Sequence, residues 1–189
     1  TAERDQRMPY DPEMSKKLLA EAGYPDGFEL TLDCPNDRYI NDEAICVAAI
    51  GMFAKIGVKV NLDAKTKSQH FSEVKEGDAN GMTSDMYMLG WGVPTFDSHY
   101  VYSYLFDSAG SWNKVNFSNA RVDELVAAMG VETDLDKRNA MIAEAWDITQ
   151  DDVTYLPLHH QVVNQASKGN VDVPIRMNNE PLFRFANVN

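Results

Sequence analysis

Residues 89–100 read LGWGVPTFDSHY, with an indole at Trp91 between Gly90 and Gly92 and then Phe96, Asp97 and His99 within eight positions. Glycines let another group approach the backbone closely, an indole face holds apolar or cationic groups, and a carboxylate either holds a cation or caps a helix. The set suits a structural loop after a strand or the rim of a ligand cleft. It is not a set for making and breaking bonds, because GxSxG, a P-loop, HExxH and a strand-borne GxGxxG are all absent. His159 and His160 are adjacent, so on an extended segment they point to opposite faces, and with His70 and His99 they give no shared ligand set. No metal and no cofactor is expected.

Cys34 and Cys46 lie twelve positions apart, too few and too far for zinc without histidine. They read either as two buried small residues or as a disulfide. Cys34 ends a predicted strand and Cys46 falls one turn into the next helix, so a bond would pin the loop between them. The pair is a disulfide candidate, with a loop-closure contribution on the order of 3 kcal/mol.

The chain has 189 residues, 44% hydrophobic and 24% charged, which is the composition of one or two globular domains. Its 17 basic and 29 acidic residues give a net charge of −12, which opposes binding to nucleic acid or anionic lipid, and no local basic patch stands out along the sequence. The most apolar run, Val47 to Ala54, is far shorter than the roughly 18 residues of a membrane span, so the chain reads as soluble. The opening TAERDQRMPYDPEM lacks the charged and apolar regions of a secretory signal.

The elements that must hold these residues follow from pattern. Asp11 and Pro12 predict a helix start, Met14, Leu18, Leu19 and Ala22 share a face, and Gly23 ends it. FELTLD alternates as a strand. Asn41 or Asp42 caps a helix carrying Ile45, Ala48, Ala49, Met52, Phe53 and Ile56 up to Gly57, and VKVNL (58–62) is a second strand, so the three form a βαβ unit with a parallel pair. Ser68 is the expected cap of a short helix with Phe71 and Val74, EGDANG (76–81) a turn, and DMYMLGW (85–91) a third strand-like run. If that strand joins the sheet, LGWGVPTFDSHY begins at a strand end, where open α/β sheets present ligand loops. Phe117, Ser118 and Asn119 suggest the cap of a helix with Val122, Leu125, Val126 and Met129 on one face, and Thr133 or Asp134 caps a longer one with Met141, Ile142, Ala145, Trp146 and Ile148. YLPLHHQVVNQA (155–166) reads as extended, and the tail from Lys168 is poorly patterned.

Five blocks, YDPEMSKKLLAEAGYPDGFEL, TLDCPNDRYINDEA, KIGVKVNL, LGWGVPTFD and FSNARVDELVAAMGVETDLDKRNAMIAEAWDITQDDVTYLPLHHQ, resemble in that order the C-terminal part of the family 5 extracellular solute-binding proteins, the dipeptide, oligopeptide and nickel receptors of bacterial ABC importers. The resemblance spans about residues 9 to 165. It implies an α/β fold, a periplasmic-binding-protein-like lobe whose βαβ sheet is flanked by helices, and a binding rather than catalytic role. It also implies a C-terminal ligand-binding lobe over 1–165, a segment 166–189 returning to an N-terminal lobe absent here, an ABC transporter permease as partner, a small peptide-like solute as ligand and a periplasmic or extracytoplasmic location. A hydrolytic domain and a sensor or interaction module on the same fold are the alternatives.

By the resemblance, the loop after the first strand and the GW segment lie at the cleft, which assigns Asn36, Asp37, Arg38 and Tyr39 and then Trp91, Phe96 and Asp97 to ligand binding. Arg38 offers a planar fork for a carboxylate or phosphate, and Trp91 a flat face. The same residues also read as turn formers, a surface ion pair and core, and Asp97 as the cap of a following helix. Peptide-binding members usually run GWxADY, with an Asp for the peptide ammonium where this chain has Pro94, and oligopeptide receptors carry a basic residue where it has Met88. The resemblance therefore points to a ligand other than a simple free-ended peptide.

Overall fold

The computed structural model describes residues 9–80 (backbone only from 77), 84–176, 178 and 180–188, so most of the opening segment, Gly81 of the EGDANG turn and Asn189 lie outside it. Helix α1 (Pro12–Glu21) starts as expected, with the Asp11 carboxylate accepting from the Met14 amide. Strand β1 (Glu29–Pro35) and strand β2 (Lys59–Lys65) run parallel in register from Glu29↔Lys59 to Pro35↔Lys65, joined through helix α2 (Asp42–Ala54). Strand β3 (Met86–Tyr87) adds to the other side of β1, also parallel, for the order β2-β1-β3. The strand entrances are held tightly: Gly27 has φ +74°, and a Cβ there would stand 1.9 Å from the Gly57 carbonyl oxygen, so the turns before β1 and β2 pack backbone to backbone.

Two cores result. Leu32, Cys34, Cys46, Val58 and Val60 are buried between the sheet and α2, with Ile50, Phe53, Ile56 and Met88 against them. The second is helical. Val122, Leu125, Val126 and Met129 of α5 (Ala120–Met129) bury against Ala145 of α6 (Leu135–Asp152), Tyr102 and Phe117. Asn119 and Asp134 cap these two helices as predicted, each accepting from two amides.

Some local expectations are corrected. Ser68 is not the cap of α3 (Lys67–Asn80): Thr66, two residues earlier, forms a reciprocal box with Gln69, and the helix runs on through residues read as a turn. Asn41 sits at the start of α2 in the left-handed region (φ 59°) and makes no side-chain cap. The outer side of α2 is exposed at Val47 and Met52, because this helix is apolar on most of its circumference and only one side meets the sheet. The run 85–91 pairs over two residues only, its chain leaving the ladder after the Met88 amide donates to the Asp33 carbonyl. Beyond α6, Tyr155 to Asn170 is irregular, and a short antiparallel pair, β4 (Val171–Asp172) with β5 (Asn187–Val188), leaves Val162 and Phe183 largely exposed.

Candidate functional site

All three strands are parallel, so the loops leaving β1 and β3 and the start of α3 after β2 share one edge of the sheet. That edge is where open α/β sheets hold ligands. The chain stitches its loops together there. Asp42 is 4% exposed, and its carboxylate accepts the amides of Arg38 (2.8 Å), Tyr39 (2.9 Å) and Glu43 (3.0 Å). Burial alone would raise its pKa, but those backbone N–H groups outweigh it and hold it below the ordinary range. Asp37 caps α3 by accepting the Lys67 amide, and the Asn36 amide donates to the Lys65 carbonyl.

Tyr39 joins the two predicted site loops. Its hydroxyl accepts the Gly90 amide at 2.9 Å, and its ring lies where a side chain at residue 90 would be, 2.6 Å from a Cβ built on Gly90. Beneath this contact Cys34 and Cys46 are bonded, with Cα atoms 6.7 Å apart. Met88 Sδ packs on the disulfide, 3.5 Å from Cys46 Sγ. The position where the resemblance expects a basic residue is thus an inward, apolar one, and a charge there would be buried on sulfur.

Trp91 is half-buried in an aromatic cluster, its ring centroid 5.9 Å from Tyr100, 6.0 Å from Tyr104 and 5.8 Å from Trp112. Its Nε1 is buried with no acceptor among the described residues. The cluster continues from Trp112 to Phe71 of α3 at 6.3 Å. Phe96 stands 63% exposed at the turn after Val93, with φ 55°, a left-handed conformation unusual for an aromatic residue. Asp97 meets its reading as a cap, and its carboxylate is also taken by an ion pair that the sequence did not indicate. It accepts the His99 amide at the start of α4 (Ser98–Val101) and a two-pronged contact from Arg138 of α6, 2.8 Å on each arm. The Arg138 hydrogen bonds, against some desolvation, lower the Asp97 pKa.

Arg38 is exposed, its guanidinium carbon 4.8 Å over the Tyr39 ring. It borders an open groove of about 650 Å³ with Lys67, Ser68, Phe71, Ser72, Lys75 and Glu76 of α3. No basic patch was visible along the sequence, because its members stand 29 and 8 residues apart and only the fold assembles them. The α3 residues and Trp112 were missed as site residues, although Lys67, Phe71 and Lys75 at i, i+4 and i+8 carry the signal of one helix face. Under the groove α3 is anchored by a buried contact, His70 Nδ1 to Asp33 Oδ1 at 2.7 Å, with Lys65 beside it reaching Asp33, Asp63 and Glu73. Burial disfavours the Lys65 charge, but the carboxylates prevail and its pKa is raised. His99 lies against Gly130, and His159 and His160 are exposed on the irregular segment. Among the described residues no three His, Cys, Asp or Glu side chains come together as a metal site.

Comparison with known proteins places this geometry. The family described as bacterial extracellular solute-binding proteins, family 5 Middle, matches residues 1–113. The chain is 30% identical over 161 residues to the glutathione-binding protein GsiB of Salmonella typhimurium, covering 83% of this chain and 31% of that protein. It is 34% identical over 163 residues to heme-binding protein A of Haemophilus influenzae, covering 83% and 29%. Among solved structures, the dipeptide-binding protein of Pseudoalteromonas sp. SM9913 in complex with Met-Leu superposes with a TM-score of 0.81 at 24% identity, over 96% of this chain and 36% of that one. The chain therefore spans about a third of the length of these three proteins.

Proposed function

The chain belongs to the family 5 bacterial extracellular solute-binding proteins, and from that premise we propose that residues 1–165 act as the C-terminal ligand-binding lobe of an ABC importer's substrate-binding component. Residues 166–189 return toward an N-terminal lobe, and the closed receptor delivers its solute to a membrane permease. The location is outside the cytoplasmic membrane, which agrees with the Cys34–Cys46 bond, since disulfides persist in oxidising compartments. Nucleic acid is not a partner.

The observation that carries this reading is the Tyr39–Gly90 contact, which brings the Arg38 loop and the Trp91 loop to one sheet edge. Arg38 holds an anionic group of the ligand, Trp91 and the exposed Phe96 offer aromatic surface, and Asn36, Asp37 and Tyr39 shape the loop. Asp97 contributes by holding its loop on α6, because its carboxylate is already engaged by Arg138. A free-ended peptide's ammonium would find Pro94 where other members place an Asp, its carboxylate would find Met88 where oligopeptide receptors place a basic residue, and a buried charge without a partner costs several kcal/mol. The ligand class that fits is a modified peptide, a glycoside or an opine-like sugar conjugate with an anionic group. Glutathione, which one relative is named for binding, joins that class as a γ-linked tripeptide whose ammonium stands beside its own α-carboxylate and so brings its own partner.

Calorimetry on the full-length receptor tests this. Glutathione or another modified peptide is expected to bind at micromolar Kd or tighter, with at least about a tenfold loss, or 1.4 kcal/mol, in Arg38→Ala or Trp91→Ala. Tight binding of unmodified dipeptides, undiminished in both variants, would overturn the ligand class and the residue roles together.

A further inference from the structure

The chain has 12 more acidic than basic residues, and Lys16, Lys17, Lys59, Lys65, Arg121, Arg138 and Arg176 each sit beside a carboxylate. Arg38, Lys67 and Lys75 have no ion pair among the described residues, yet they border one groove, with Glu76 the single acid among its described lining residues. The Glu76 carboxylate accepts the Ser72 hydroxyl at 2.8 Å. Three like charges left together repel one another, and an anion would relieve that.

The cations are also ordered in space. Asp37 holds the Lys67 amide, so Arg38 and Lys67 meet at the start of α3. Lys75 lies two turns further along the same face, roughly 12 Å away at 1.5 Å rise per residue, with its ammonium 5.9 Å over the Trp112 ring. Between them stands Phe71, edge-on to Trp112. The groove thus offers a positive end, an aromatic middle and a second positive end, at a volume within the usual range for small-molecule sites.

We propose that the Lys67–Lys75 face of α3 is a second anion subsite of the cleft, so that the preferred solute carries two anionic groups on either side of an apolar or flat middle lying on Phe71. This rests on the ligand-binding role proposed above. Arg38 and Lys67 take one anionic group, and Lys75 takes the other.

The test uses two blocked peptides that differ by one carboxylate, N-succinyl-Gly-Phe-Gly and N-acetyl-Gly-Phe-Gly, titrated into the full-length receptor at low salt. The succinyl probe is expected to bind at least about tenfold more tightly, a preference that fades as salt shortens the Debye length. Lys75→Gln is expected to abolish the preference by bringing the succinyl probe's Kd to about that of the acetyl probe. Equal affinity of wild type for both probes overturns the second subsite, and if Arg38→Ala still weakens both, the binding role itself stands. A Lys75→Gln variant that weakens both probes equally also overturns it, since Lys75 would then act on lobe closure. Binding of neither probe at about 1 mM counts against the subsite and the binding role alike.

Discussion

The two ends of the sheet edge differ in how their charges are used. At the Trp91 end each charge is matched within the chain: Asp97 is gripped by Arg138 and by the amide of His99, and Tyr39 receives Gly90. At the α3 end Arg38, Lys67 and Lys75 border an open groove and have no ion pair among the described residues. In its charges the first end is built as a support, with Trp91 and Phe96 as aromatic surface, and the second as a receiving surface. The difference teaches that the acidic residue of a site loop is not by itself a ligand residue, since what matters is whether its lone pairs are already taken.

The largest effect that separates support from reception is on the disulfide. Replacing Cys34 and Cys46 by serine is expected to lower unfolding stability by about 3 kcal/mol, because the loop they close is freed in the unfolded chain and Met88 loses its packing surface. Urea denaturation with and without reductant measures it, and coincident midpoints would show that the bond adds nothing.

Next comes Gly90→Ala. Its Cβ would press on the Tyr39 ring, and moving the ring breaks the hydroxyl-to-amide bond, so a loss of about 1–2 kcal/mol is expected. Tyr39→Phe, which keeps the ring and drops the hydroxyl, is expected to cost less. Equal stability of Gly90→Ala and wild type would break the claim that the two loops are locked.

A smaller effect is tied to pH. Asp97 and Asp42 have folded pKa values below their unfolded ones, so the stabilisation they give is present above the unfolded value of about 3.9 and is lost as pH falls through the folded values. Denaturation midpoints are therefore expected to drop below about pH 4 in wild type and to drop less steeply in Asp97→Asn. Parallel curves for the two proteins would remove Asp97 from the support.

Much of the frame was legible before any coordinates. Asp11, Asn119 and Asp134 announced their helices because a cap is a local event, decided by a side chain two or three residues from the amides it serves. The parallel βαβ unit followed from the switch between two-residue and helical periodicity around Ile45 to Ile56. The start of α3 was misplaced because Thr66 and Ser68 are both competent caps, and only the Gln69 side chain returning to the Thr66 amide decides between them. The α3 groove stayed hidden for another reason: its cations come from separate elements, and sequence distance says nothing of a meeting arranged by the Asp37–Lys67 contact. Asp97 was readable as a cap, but its Arg138 partner lies 41 residues away on another helix.

The most direct measurement is a pair of numbers on two variants of the full-length receptor, the thermal midpoint without ligand and the Kd for glutathione. Arg38→Ala is expected to keep stability within about 0.5 kcal/mol of wild type while weakening binding at least about tenfold. Arg138→Ala is expected to lower stability by 1 kcal/mol or more, at about the cost of leaving the Asp97 carboxylate without its charged partner. If Arg38→Ala unfolds the protein as readily as Arg138→Ala does and leaves Kd unchanged, Arg38 belongs to the support, and the proposed receiving surface is contradicted.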